Sequence, residues 1–169
     1  RAQPFCNADI SEEREDVPMS ENLEKTEKNL RDLIETLLDG HKGFIELEKN
    51  LKDPEARQLF REETLVRANF AAELENELHH FGVKDVKVPS STAGKLHRAW
   101  GELKARLGGG DHALLATAEK GEDEAKEAYD EALASEDFPL PLRELLLRQQ
   151  RHILGAHDRV KALRDRLAA

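Results

Sequence analysis

The chain has 169 residues, of which 38% are hydrophobic, 36% charged and only 5% aromatic, and its net charge is −9. That length suits one domain with its own core, and the composition favours helices over a β-sandwich or barrel, which would draw on β-branched and aromatic residues. The acidic balance argues against nucleic acid as a main partner. With no apolar run near the roughly 18–20 residues needed to cross a bilayer, no membrane partner is expected and the chain reads as soluble and cytoplasmic.

Residues 1–20 hold Asp9, Glu12, Glu13, Glu15 and Asp16 together with Pro4 and Pro18 and show no helical stripe, which predicts a disordered acidic tail. The chain begins at Arg1, and Met19 is a candidate start. Cys6, the one cysteine, excludes an internal disulfide and a zinc finger and reads as an incidental thiol.

A folded domain is expected over 21–169. Leu30, Ile34, Leu37, His41, Phe44, Glu48 and Leu51 recur at spacings of three and four, the seam of an amphipathic helix over about 21–52. Asp53-Pro54-Glu55 stops it and starts the next, since Asp caps, Pro suits the first position and Glu suits the positive end. The second helix carries Ala56, Leu59, Glu63, Val66, Phe70, Leu74, Glu77 and Phe81, with Gly82 as its C-terminal stop. Ser90-Ser91-Thr92 predicts a short helix to about Leu107, ended by Gly108-Gly109-Gly110. Asp111 is expected to cap a further helix with Leu114, Ala118, Glu122, Ala125, Tyr129 and Ala132, and Phe138-Pro139-Leu140-Pro141 leads into a last one with Leu142, Leu146, Gln149, Ile153, His157, Val160, Leu163 and Leu167. Residues 119–137 hold nine acids against two lysines and residues 140–169 seven Lys or Arg against three acids, so the last two helices should attract.

The two-residue turn makes the first two helices antiparallel neighbours. The stretch from about 82 to 110 is too long for a turn and about right for crossing a bundle lengthwise. The expected fold is therefore all-α: a ferritin-like four-helix bundle with a long crossover containing a short fifth helix. The rival is a plain up-down bundle in which residues 92–107 form a core helix.

Leu33-Ile34-Glu35 with Asp39-Gly40-His41-Lys42-Gly43-Phe44, Phe70-Ala71-Ala72-Glu73-Leu74, the run Ala93 to Trp100 through Leu103-Lys104 to Gly109-Gly110-Asp111, Gly121-Glu122-Asp123 with Ala128-Tyr129, Ala156-His157-Asp158 and Leu163-Arg164-Asp165 together resemble a bacterial ferritin-like four-helix-bundle family classed as a domain of unknown function. The resemblance covers about 23–167. It implies a ferritin-like bundle and suggests a link to stress physiology, and it brings no catalytic residues.

Polar residues interrupt every apolar stripe: His41, Glu63, Glu122, and Gln149 or Gln150 with His157. At about 1.5 Å per residue, His41, Glu63, Glu122 and His157 fall in nearly one mid-bundle layer, and buried carboxylates there must meet partners, bind a metal or tilt to water. Gly40, Gly43, Gly121 and Gly155 lie near that layer, which suggests tight packing or a small site. If the layer is a metal site, its carboxylates favour iron or manganese while the imidazoles tolerate zinc or copper. A di-iron centre needs Glu-x-x-His pairs on two helices. The one pair here, Glu77 to His80, lies in the last turn of its helix, where histidines stabilise the terminus. Glu122 and Tyr129, seven apart, match only a fragment of that pattern.

The expected function is association, as a homo-oligomer without catalysis or cofactor, because Leu38, Leu47, Leu115 and Leu147 extend beyond one seam. The alternative is a metal-binding protein or oxidoreductase using the mid-bundle layer.

Overall fold

The computed structural model describes residues 19–86, 108–135 and 138–168. Among the described residues four helices run in order: α1, Met19–Asn50; α2, Pro54–His80; α3, Gly110–Leu133; and α4, Leu140–Arg166. The expected tail and the short helix over 92–107 lie outside the described residues, apart from the start of α1.

The punctuation between α1 and α2 follows local chemistry. Asp53 keeps an extended backbone while its carboxylate accepts from the Ala56 amide, and Pro54 opens α2. At the far end Gly82 takes φ +86°, Gly82 N–H donates to His79 O and Val83 N–H to Leu78 O. This paired return is the Schellman stop, and it needs the left-handed residue that glycine supplies.

Asp111 does not cap α3, which begins one residue earlier at Gly110. Its carboxylate instead accepts from the Lys52 amide, at 3.0 Å to each oxygen, and from the Asp53 amide at 2.6 Å. The carboxylate goes where two backbone donors were otherwise left over, in the turn between α1 and α2.

That clamp fixes the topology. The start of α3 sits at the α1/α2 turn, whereas α2 ends some 40 Å away, so α2 and α3 both begin at the same end of the bundle. Arg166, at the end of α4, donates to Asp53 and Glu55 at the same end, which places the α3/α4 connection opposite. Neighbours around the bundle are α1 with α2, α2 with α4, α4 with α3, and α3 with α1. The four helices thus form an all-α bundle in which α1 lies diagonal to α4, the pairing that the expected crossover would require.

Two apolar clusters fill the interior. One, nearer the α1/α2 turn, gathers Phe44, Leu47, Leu51, Phe60, Leu114, Leu115, Val160 and Leu163. The other gathers Leu30, Ile34, Leu37, Phe70, Leu74, Leu78, Tyr129, Leu142, Leu146 and Ile153. Leu47 and Leu115 are buried, and Leu38 and Leu147 pack partly against the second cluster, so all four broaden the core of a single chain. The α4 arginines meet α2 as well as α3: Arg148 reaches Glu73 and Arg159 reaches Glu63, while Arg164 reaches Glu119.

Candidate functional site

A polar layer separates the two clusters, and its centre is an arginine. Arg67, only 2% exposed, projects from α2 across the interior so that Nη2 lies 2.6 and 2.7 Å from the two carboxylate oxygens of Glu122 on α3. The same nitrogen stands 4.0 Å from Glu63, one turn back on α2. The guanidinium lies 5.3 Å from the Phe44 ring centroid, a cation–π contact that supports charge where water is excluded. Gly40 of α1 faces the aliphatic stem of Arg67, with room for a methyl group at ordinary contact distance.

Glu63 is 1% exposed and has further partners on α4. His152 Nε2 lies 3.0 Å from both of its oxygens and Arg159 donates to Oε1. Two buried carboxylates thus meet two guanidiniums, with an imidazole at the rim. Burial pushes the Glu122 carboxyl above its ordinary range, and the Arg67 charge and hydrogen bonds pull against it. Arg67 Nε has no hydrogen-bond partner.

A second polar chain crosses the other cluster. Tyr129 donates to Gln149 Oε1 at 2.7 Å, and Gln149 Nε2 donates to Glu73 at 2.7 Å and to Phe70 O at 3.3 Å. Burial raises the Tyr129 pKa, which keeps the phenol neutral and donating.

The four residues expected in one layer stand at one level but do not converge. Glu63 and Glu122 share Arg67. His41 turns its Nδ1 to Thr64 O at 3.0 Å, between α1 and α2. His157 points to the α3/α4 edge, where Nε2 lies 3.1 Å from Asp123 and Nδ1 3.1 Å from Asp158. Among the described residues no three His, Cys, Asp or Glu side chains gather so as to hold an ion. A cation does occupy the space between the two carboxylates, and it is the guanidinium of Arg67.

The glycines have a different basis from the one expected. At Gly121 and Gly155 an added Cβ would meet open space, so close helix approach does not account for them. Tyr129 is committed to Gln149 and not to Glu122. His79 bonds to Val83 O and His80 lies 3.5 Å from Glu77, so both serve the α2 terminus.

Arg67, His152 and Arg159 are the site residues that stripe reading overlooked. The available signal was Arg67 four residues after Glu63 and within the buried face of α2, between Val66 and Phe70.

A family model described as a domain of unknown function (DUF2383) matches residues 25–135. The match takes in α1 from Lys25 onward, α2 and α3, and hence Glu63, Arg67 and Glu122, whereas His152 and Arg159 lie beyond it on α4. No curated protein matches the chain.

Proposed function

The chain belongs to the DUF2383 family, and on the strength of its closed interior we propose that it is a non-catalytic helical bundle that works through association with further copies of itself. One observation carries this reading. The buried ionisable groups at mid-bundle, Glu63, Arg67 and Glu122, are engaged with one another and with His152 and Arg159, so the layer is neutralised from within. A buried carboxylate poised for proton transfer or metal binding needs an open coordination or substrate position, whereas here a guanidinium covers both.

Work done by such a bundle falls to its outside. Leu23, Leu65, Leu140 and Leu154 stand exposed on that surface, and association would cover apolar side chains of this kind. Sedimentation of the purified chain tests the reading: the mass should rise above the 19.1 kDa of one chain as concentration increases. A monomer persisting at high micromolar concentration would contradict it.

A further inference from the structure

The outer face of α4 carries a second repeat beside the stripe that builds the core, and its middle residue, Leu147, also packs in part against the second cluster. Leu140, Leu147 and Leu154 follow at intervals of seven, with Glu144 and Arg151 between them. The resulting three-and-four spacing is the seam of a helix pair. Leu140 is 68% and Leu154 40% exposed, and Leu147 is half-buried. Glu144 and Arg151 are exposed and make no ion pair among the described residues, although most arginines of this helix find a carboxylate.

Read backwards, this face is its own complement to within one residue. Set against a second α4 running the opposite way about a two-fold axis at Leu147, Leu140 meets the partner's Leu154, Leu147 meets its own counterpart, and Glu144 stands within one residue, about 1.5 Å along the helix, of the level of the partner's Arg151. Every pair away from the axis then occurs twice, as an isologous contact requires. In the parallel alignment each charge would instead face its like, Glu144 on Glu144 and Arg151 on Arg151, which costs free energy. Arg148 flanks the axis, and its guanidinium is held by Glu73 within its own bundle, 2.9 Å away.

We propose that the outer face of α4 is a homodimer interface in which two copies pair antiparallel about Leu147, with reciprocal Glu144–Arg151 ion pairs setting the register. The proposal rests on the association reading above and names its surface. Leu140 to Leu154 spans only about 21 Å of helix, so the contact belongs with small interfaces below roughly 1,200 Å² and the dimer is weak and concentration-dependent.

Charge reversal on the full chain tests it, because both positions are exposed and the bundle does not need them to fold. In sedimentation velocity, Glu144→Arg and Arg151→Glu should each weaken the dimer about tenfold or more, since each places two like-charge pairs in the seam. The double variant should restore it, and an equimolar mixture of the two single variants should dimerise better than either alone. In a Cys6→Ser background, Leu147→Cys should form a disulfide-linked dimer on mild oxidation. A wild-type oligomer indifferent to all of these reversals would overturn this interface and leave the association reading standing. A wild-type monomer at high micromolar concentration would overturn both.

Discussion

Arg67 and Glu122 lie 55 residues apart in the chain and meet at the centre of the bundle, where one guanidinium nitrogen bonds both carboxylate oxygens. Both side chains are almost wholly removed from water, at 2% and 0% exposure. A pair so placed gives little net stability beyond what an apolar pair of the same volume would, but breaking it from one side leaves a buried charge without its partner. It therefore dictates which helices sit together more than how tightly they hold.

Arg67→Met should accordingly destabilise the fold by about 3–5 kcal/mol, because Glu122 loses its counterion and Glu63 loses one of its neighbours. Adding Glu63→Gln and Glu122→Gln to that variant should recover much of the loss, since no buried charge then remains unpaired. Denaturant unfolding of the three chains checks this, and equal stability of wild type and Arg67→Met would show the layer to be solvated.

Asp111→Ala should loosen the α1/α2 turn without disturbing the rest of the bundle. The amides of Lys52 and Asp53 lose their acceptor, and the cost should be about 1–2 kcal/mol. Amide hydrogen exchange should speed up at Lys52 and Asp53 while the centre of α2 stays protected. Unchanged exchange at those two amides would place the acceptor elsewhere.

How legible all this was in the sequence depended on how far apart the partners lie. The α1/α2 boundary could be read because Asp53, Pro54 and Ala56 complete the cap within four residues, and Gly82 could be read because a helix stop is likewise local. Asp111 was harder. A carboxylate beside a glycine run looks like a cap, and only the folded chain shows that the nearer orphan donors are amides almost sixty positions earlier. The heights of Glu63 and Glu122 followed from the rise of a helix and the crossover. Arg67 did not, since a long cation on a buried face makes sense only once a second carboxylate arrives from α3. His41 and His157 are turned aside by Thr64 O and by Asp123, contacts fixed by helix rotation, which spacing alone leaves open.

Asp39 should make stability depend on pH. Burial is the chief cause that lifts its carboxyl from 3.8 to about 6, with Glu35 adding to the effect and Lys42 opposing it. The folded chain thus holds this proton more tightly than the unfolded one. The associated stability is full below about pH 4 and is lost as pH rises through 6, a change of roughly 2–3 kcal/mol. Asp39→Asn should flatten that part of the profile and gain most against wild type near pH 7. Parallel profiles for the two chains across pH 4 to 7 would contradict it.

Elemental analysis of protein purified without chelator, beside a Glu63→Gln, Glu122→Gln variant, tests most directly the claim that Arg67 closes the mid-bundle layer. With the guanidinium seated between the carboxylates, iron, manganese, zinc and copper should all stay well below one ion per chain and should not change in the variant. Stoichiometric metal in the wild-type chain that disappears from the variant would contradict the account and give the layer to an ion.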